Sequence, residues 1–384
     1  MITKITEYSD FVVLKEDWNA LLESSQEREN VFLRHEWFDV WWQAFGKGKE
    51  LLILLCQEAG KIIGIAPLMI FRDRYKGLPY KRLGFIEDPN APSMNFIIKQ
   101  GGEESVLPAI LAYLVEPGTN AWHAAVLNKL PAGSSMLRTS TNCFSQQKIK
   151  YLLRNGQDSP YVPVNSDWET FLASTSVRFR KQLRNKINKL NKAGKVSFDV
   201  FDNIGVDGKH LEEAMSVSSR SWKQDQGTSM SSTPSRKRFF ELLSSVASKN
   251  GWLRIWLLYL NGNPIATEYH LEYKGRTHAM RGDFDKSHDS LSPGSVLEAH
   301  IIEHCFKKGL LEYDFCGLPY GYKLRWTELL HTHNNILFYN GSYFSSGLYI
   351  LQQYLPLIRW KIFESIKKAS MSMFRNSLEI KKDS

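Results

Sequence analysis

Cysteine is scarce in this chain of 384 residues, and the few cysteines stand far apart. They are Cys56, Cys143, Cys305 and Cys316, and no two of them form a Cys-x-x-Cys pair. That spacing argues against both a disulfide framework and a structural zinc site, so we expect reduced, mostly buried thiols. His331 and His333 stand two residues apart, but no third ligand follows nearby, and we expect no bound metal.

Long apolar runs are also missing. The run at residues 51–55 is far shorter than the roughly 20 residues that a spanning helix needs, and residues 1–8 contain no apolar signal-peptide core. These absences predict a protein that is made and kept in the cytoplasm. Hydrophobic residues still make up 43% of the chain, which is enough for a substantial folded core.

Acidic residues are absent between Arg178 and Lys195, where eight basic residues supply most of the net charge of +9. The eight are Arg178, Arg180, Lys181, Arg184, Lys186, Lys189, Lys192 and Lys195. Apolar residues recur among them at helical spacing: Phe179, Leu183, Ile187 and Leu190. This pattern predicts a helix that buries one stripe and shows its cations outward. The basic face is either simply solvated or a contact for an anionic partner such as CoA phosphates, a lipid-linked acceptor, anionic lipid or tRNA.

Two parts of the chain share one order of elements. Two helical segments precede a strand hairpin that turns near residues 58–61, and two more precede a hairpin that turns near residues 261–263. Two copies of one structural unit are the natural inference. The prolines between Ser159 and Val164 suggest a boundary, so we predict an N-terminal domain at residues 1–160 and a C-terminal domain at 161–342.

The remaining residues, 343–384, have the composition of a basic amphipathic helix or tail. Pro356 and the interspersed polar residues argue against a membrane-spanning helix there. We expect this segment to lie on the second domain. The alternative is that it rests on an anionic membrane surface, which would make the protein peripheral on the inner face of the membrane.

Residues 251–326 form the most informative stretch. Two strand-like runs are followed by Ser292-Pro-Gly-Ser, which opens an apolar helix, and then by another strand near Asp314. The first turn of a helix leaves backbone N–H groups free at the positive end of the helix dipole, where a phosphate or pyrophosphate binds well. The pattern therefore suggests a nucleotide-bearing cosubstrate. An ordinary helix start, with Ser292 as N-cap and Pro293 in the first position, would show the same residues.

Taken in order, this stretch resembles the second half of GNAT-type N-acetyltransferases associated with bacterial cellulose and exopolysaccharide biosynthesis, which are related to Fem-type peptidyltransferases. The matching positions are the hairpin between Trp252 and Thr277, Asp283, Asp285, Ser292-Pro293-Gly294, Gly309, Asp314 and Tyr322-Lys323, and the basic segment that begins at Arg184. The chain lacks the Gln/Arg-x-x-Gly-x-Gly loop of standard GNAT enzymes. The resemblance implies an α/β fold with mixed sheets (α+β), built as a tandem duplicated GNAT-like (acyl-CoA N-acyltransferase) fold.

The resemblance also implies where acetyl-CoA would bind as cosubstrate. The pantetheine arm would lie along the strand before the helix, flanked by Arg281, Phe284 and Asp285. Ser292, Pro293, Gly294 and Ser295 would meet the phosphates. The first half has no counterpart of this motif after its hairpin, so we expect only the second half to hold the donor.

Candidate catalytic residues follow from strand spacing. Glu268 and His270 stand two apart on one strand and therefore face the same side of the sheet, where either could act as the base. Asp283 is a second candidate for that role. Asp314, together with Tyr322 and Lys323, could bind the acceptor or stabilise the leaving group. For each of these residues a purely structural role is the competing interpretation.

The sequence thus predicts an acyltransferase that moves an acyl group, in the first instance acetyl from acetyl-CoA, to an amine or hydroxyl of a sugar, a lipid-linked saccharide or a related metabolite. One alternative is a Fem-type aminoacyltransferase that uses aminoacyl-tRNA and contacts it through the basic helix. Another is a non-catalytic subunit that binds a partner in a polysaccharide-synthesis assembly.

Overall fold

The computed structural model describes residues 1–87, 91–116 and 122–355. The strands are β1 (Ile2–Ile5), β2 (Glu50–Glu58), β3 (Lys61–Tyr75), β4 (Leu78–Phe85), β5 (Ile97–Ile98), β6 (Ala124–Pro131), β7 (Tyr151–Asn155), β8 (Ser159–Pro163), β9 (Val196–Phe201), β10 (Leu253–Leu260), β11 (Asn263–Tyr273), β12 (Arg276–Phe284), β13 (Glu312–Asp314), β14 (Leu330–His331) and β15 (His333–Tyr339). They form two sheets.

Helices cover both sheets. They are α1 (Tyr8–Val12), α2 (Lys15–Glu23), α3 (His35–Phe45), α4 (Glu103–Val115), α5 (Ser135–Gln146), α6 (Trp168–Ser174), α7 (Val177–Ala193), α8 (Lys209–Ser219), α9 (Trp222–Asp225), α10 (Pro234–Lys249) and α11 (Pro293–Lys308). Short 3-10 helices lie at Val31–Leu33, Val206–Gly208, Lys286–Leu291 and Lys323–Arg325. A further helix covers residues 343–355. Among the described residues, no helix is long and apolar enough to cross a membrane.

The two sheets repeat one topology. The first has the order β1-β2-β3-β4-β6-β15-β7, with β5 paired to β3, and the second has the order β14-β8-β13-β12-β11-β10-β9. In each sheet three antiparallel strands lead through a helix to a strand that pairs in parallel: β4 with β6 across α4, and β12 with β13 across α11. The mixed α/β fold with two GNAT-like halves is thereby confirmed.

The sheets exchange strands at the junction of the halves. β15, from the C-terminal part of the chain, lies between β6 and β7 of the first sheet, and β8 lies beside β13 in the second. The domain bounds 1–160 and 161–342 stay a prediction. Strand β15 falls within the second range but pairs in the first sheet.

Alternation along β10 joins the two halves into one packed body. Leu253, Ile255 and Leu257 point into a hydrophobic cluster that includes the aromatic helix α3, while Trp256 and Leu258 point into a second cluster beneath α11. Successive side chains of a strand face opposite sides, so one strand supplies both clusters.

The basic segment forms α7 as its periodicity predicts. Ser176 caps the helix by accepting a hydrogen bond from the Phe179 N–H group, and the helix ends at Gly194. Phe179 and Leu183 are buried, with Phe179 set edge-on against Trp326 at a ring-centroid distance of 4.7 Å. Burying side chains of this size stabilises the helix on its domain by about 1.5–3 kcal/mol each.

The C-terminal segment packs differently from the prediction. Within its described part, Leu348 is buried against Tyr80, Ala124 and Tyr339 of the first sheet, and the Tyr339 hydroxyl donates to Gln352 Oε1 at 2.7 Å. The helix at residues 343–355 therefore lies on the first sheet rather than on the second domain. The reason is that β15, which immediately precedes this helix, is a strand of the first sheet. Residues 356–384 lie outside the described residues.

Candidate functional site

A gap opens in the second sheet where β12 continues beyond the end of its parallel neighbour, β13. β13 pairs with β12 only through Arg276, Thr277 and His278, and β12 then continues to Phe284. The chain returns through a 3-10 helix into α11, whose N-terminus faces the open side. A cavity of about 320 Å³, called here the β12 cavity, lies in this gap. It is lined by Trp222, Lys223, Thr267, Glu268, Gly282, Asp283, Phe284, Gly294, Ser295, Glu298 and Tyr322.

The first turn of α11 forms one wall of the β12 cavity. Pro293 takes the first helical position, and Ser292 precedes it in a left-handed conformation with φ 52°, without a side-chain capping bond. The N-cap that the sequence predicts at Ser292 therefore has the right position but leaves the hydroxyl unused for capping. A Cβ atom on Gly294 would lie 3.2 Å from Phe284 Cδ1, so glycine lets the helix start approach β12.

Two cations of α7 stand at the same helix start. Lys186 Nζ donates to Ser295 Oγ at 2.9 Å, and Lys189 Nζ donates to the Ser290 carbonyl at 2.8 Å. Partial burial, with Arg325 nearby, lowers the pKa of Lys186. Together with the helix dipole, these ammonium groups make the wall a favourable place for an anion.

Two carboxyl groups, one buried and one half-buried, face the same cavity. Burial raises the pKa of Glu268, on β11, to about 8. Glu298 lies on α11 one turn beyond Ser295 and accepts a hydrogen bond from Trp326 Nε1 at 2.8 Å. Burial, and then the neighbouring Glu268, raise the pKa of Glu298 as well. Desolvation disfavours the charged form of each group, and two negative charges so close disfavour each other.

His270 lies behind Glu268 and is fully buried. Its Nε2 is 2.8 Å from Glu268 Oε2, and its Nδ1 is 3.3 Å from Thr277 Oγ1. Burial lowers the pKa of His270 to about 3, so the ring is neutral at ordinary pH. Tyr313 also donates to Glu268 Oε2, at 3.3 Å. His270 and Tyr313 therefore both hold the Glu268 carboxyl group in one orientation.

Asp283 lines the cavity but is already neutralised. Its Oδ2 accepts hydrogen bonds from Ser218 Oγ at 2.6 Å and Arg281 Nε at 2.7 Å. Lys223 Nζ lies 2.9 Å from Oδ1. Both carboxylate oxygens of Asp283 are therefore engaged by neighbouring side chains. Arg281 is thus engaged with Asp283, while Phe284 forms part of the wall.

Three other residues singled out in the sequence lie outside the lining of the β12 cavity. Asp285 caps the 3-10 helix through Ser287 and accepts a hydrogen bond from Arg220 Nε at 2.6 Å. Lys323 is buried and donates to the Phe315 carbonyl at 3.1 Å. Asp314 accepts a hydrogen bond from Ser159 Oγ and lines a different cavity. Tyr322, by contrast, reaches the β12 cavity.

Several lining residues had no place in the sequence prediction. Glu298 could have been predicted, because it follows Gly294 by one helical turn and therefore lies on the same face of α11. Trp222 and Lys223 come from α9, and only the folded chain brings them to β12. Thr267 lies next to Glu268 on β11 and also lines the cavity, but no motif in the sequence marks it.

In the first sheet, the corresponding space beside β6 is occupied by the segment that contains Ala91 and Met94. Met94 N–H donates to the Lys129 carbonyl on β6 at 3.1 Å, and Lys129 Nζ donates to the Ala91 carbonyl at 2.8 Å. The corresponding helix, α4, also begins with Glu103 and Glu104. Carboxylates in a first turn repel a phosphate there.

Residues 177–324 match the acetyltransferase (GNAT) domain family, whereas no curated protein sequence matches the chain. Among solved structures, FemX is similar over 91% of this chain and 99% of its own, at 12% identity and a TM-score of 0.57.

Two further structures are similar to nearly the same extent. The C-terminal domain of a putative lysylphosphatidylglycerol synthetase from Agrobacterium fabrum aligns over 89% of this chain and 97% of its own, at 11% identity and a TM-score of 0.53. L-PGS from Bacillus licheniformis aligns over 88% and 96%, at 12% identity and a TM-score of 0.52. Identities this low show a likeness of fold alone. The residues that match this family, 177–324, hold the β12 cavity, and the two-sheet fold as a whole is similar to that of FemX.

Proposed function

We propose that this protein transfers an acyl group, acetyl in the simplest case, from acyl-CoA to an amine or hydroxyl acceptor in the β12 cavity. The observation that carries the proposal is the meeting of three features at one place. The free edge of β12, the cationic start of α11 and the buried Glu268 carboxyl all border the same space.

The donor would bind along the free edge of β12. Its pyrophosphate would meet the N–H groups near Gly294 and Ser295, with Lys186 and Lys189 balancing the charge. The pantetheine arm would run toward Gly282, where β12 has no neighbour on the β13 side among the described residues. Because the equivalent gap in the first sheet is filled, we assign the donor to the second half only.

The transfer needs one proton acceptor and one proton donor. Glu268 would take the proton from the acceptor as the new bond to the acyl carbon forms. The carbon–sulfur bond would then break, and the CoA thiolate would take a proton from the Tyr322 hydroxyl. Tyr322 is assigned this role because it lines the β12 cavity. N–H groups on the open edge of β12 could stabilise the oxyanion.

The rim of the cavity supports an acceptor with an apolar part. Trp222, Leu318, Tyr320 and Leu324 are exposed around the opening or on the loop that carries Tyr322. Exposed apolar groups beside a polar cavity suit an amphipathic molecule such as a lipid-linked saccharide. The link to cellulose or exopolysaccharide synthesis stays a prediction.

Glu268→Gln tests the catalytic assignment. The amide keeps the shape of the side chain but cannot accept the proton, so turnover with acetyl-CoA should fall about 100-fold or more while CoA affinity stays the same. Glu272→Gln is the matched control, because Glu272 lies on the same strand but pairs with Arg254 and Lys308. Normal turnover in Glu268→Gln would remove this residue from the chemistry.

One observation favours a second candidate, a Fem-type aminoacyltransferase. Among the residues that the structure describes, no carboxylate lies within ion-pair distance of the eight cations of the basic segment, and six of them are exposed. Such a row suits the phosphates of a tRNA. Titrating the purified protein with acetyl-CoA, CoA and aminoacyl-tRNA separates the candidates, since only tRNA binding should depend steeply on salt. Affinity for none of these would support a non-catalytic, partner-binding role.

A further inference from the structure

A second cavity, of about 360 Å³, lies between the two halves. Its lining includes Glu27, Glu29, His278, Glu312, Asp314 and His331. Acidic and imidazole groups from both halves thus face one space, which is separate from the β12 cavity and has no part in the acyl transfer proposed above.

His278 is the unexplained group in this cavity. Its side chain is 93% buried, and neither ring nitrogen has a hydrogen-bond partner among the described residues. Nδ1 lies 3.5 Å from Asp314 Oδ2, and the ring stands edge-on to Phe32 at a centroid distance of 5.1 Å. Buried polar atoms are nearly always paired by hydrogen bonds, and the long 3.5 Å contact with Asp314 leaves both ring nitrogens of His278 able to take a ligand.

The groups beside His278 present three different donor atoms. Asp314 Oδ1 accepts hydrogen bonds from Ser159 Oγ at 2.7 Å and from the Cys316 N–H group at 2.8 Å, and Oδ2 is turned toward His278. Cys316 follows Asp314 by two residues and has a left-handed φ of 46°. One atom each of His278, Asp314 and Cys316 lies within 4.8 Å of the others.

We propose that His278, Asp314 and Cys316 bind a divalent transition-metal ion, with Zn²⁺ as the best fit. Imidazole nitrogen, carboxylate oxygen and thiolate sulfur are the ligands that zinc uses, and three protein ligands leave a fourth position open toward the cavity. Binding removes one proton, from the Cys316 thiol, and the thiolate and the Asp314 carboxylate then balance the two charges of the ion.

Burial in the absence of an ion keeps the thiol protonated, since it raises the pKa of Cys316 well above its usual value. Asp314 is held in position, because Ser159 Oγ and the Cys316 N–H group both donate to Oδ1 while Oδ2 faces His278. A neighbouring trio of Glu312, Asp314 and His331 also lies within 4.8 Å. It is less available, since Glu312 already bonds Arg276 at 2.7 Å and His331 at 3.0 Å.

The test uses the full chain, stripped of metal with a chelator under reducing conditions and then titrated with Co²⁺ and Zn²⁺. We expect one equivalent to bind and Co²⁺ to show a thiolate-to-metal charge-transfer band. Cys316→Ser should abolish the band, while Cys305→Ser, at an equally buried thiol in α11, should retain it. His278→Gln should weaken Zn²⁺ binding about 100-fold or more, and circular dichroism confirms that each variant is folded.

A second readout covers the case in which a variant folds poorly. Zn²⁺ should raise the melting temperature of the wild-type protein and of Cys305→Ser. Absence of stoichiometric binding in the wild type, or a charge-transfer band that survives Cys316→Ser, would overturn the proposal. Loss of binding in Glu312→Gln and His331→Gln, but not in His278→Gln, would overturn it too, because the ion would then occupy the other trio.

Discussion

At Glu268, burial changes the proton affinity of a single side chain. It raises the pKa of the carboxyl group to about 8, so that the group holds a proton near neutral pH. The neutral His270 and Tyr313 both contact Oε2, so the group cannot rotate freely. A base with a pKa near the working pH is effective in proton transfer.

The pH dependence of turnover follows from this environment. Glu268 accepts a proton only when ionised, so the rate should rise with pH and level off above about 8. Glu298→Gln removes a neighbouring negative charge, which should lower the pKa of Glu268 and move the whole profile to lower pH. The substitution leaves the ionisation of the acceptor unchanged, so a profile that does not move would show that the acceptor, not Glu268, sets the pH dependence.

At the scale of elements, one face of α7 packs against the protein and the other presents cations. Its apolar stripe packs beneath Trp326, and Lys186 and Lys189 reach the start of α11. Arg178, Lys181 and Lys192 point into solvent on the same helix. The helix therefore contains both the cations that a small donor would meet and cations that only a larger anion would reach.

Two triple substitutions on α7 distinguish these possibilities. Arg184→Gln with Lys186→Gln and Lys189→Gln should weaken CoA binding about tenfold or more and reduce its salt dependence, with little effect on stability. Arg178→Gln with Lys181→Gln and Lys192→Gln is the matched control and should leave CoA binding unchanged. If both triples weaken binding of aminoacyl-tRNA equally, the basic face serves the larger donor.

Sequence periodicity predicted most individual helices and strands. It did not predict contacts between residues that are far apart in the sequence. The α7 stripe, the two hairpins and Pro293 at the start of α11 are local patterns, and each is found in the structure. Glu298 could have been read from its spacing to Gly294. Lys223 and the trio of His278, Asp314 and Cys316 could not, because their proximity depends on sheet pairing. The expectation of no bound metal rested on spacing along the chain, and it stays a prediction.

At the scale of the whole molecule, the exchange of β8 and β15 links the stability of the two halves. Phe338 on β15 is fully buried in the first sheet, with its ring centroid 5.5 Å from that of Trp122 and 4.7 Å from that of Phe144. β10 also feeds both hydrophobic clusters. Neither sheet can lose its core without disturbing the other.

Unfolding should therefore be a single transition. Phe338→Ala removes a large buried ring and should lower the free energy of unfolding by about 3–5 kcal/mol. Hydrogen exchange should then speed up in β10 and β11 of the second sheet as well as in β6 and β7. Faster exchange confined to the first sheet, or two separate melting transitions, would show that the halves unfold independently.

The position of β15 also bears on how the protein is made. β15 lies inside the first sheet, with β6 on one side and β7 on the other, yet it is translated after almost all of the described chain. While the ribosome completes the second half, β6 and β7 must wait with open edges of the kind that recruit wrong partners. The first sheet can therefore be completed only after residues 333–339 emerge, and the edges of β6 and β7 are open to mispairing until then.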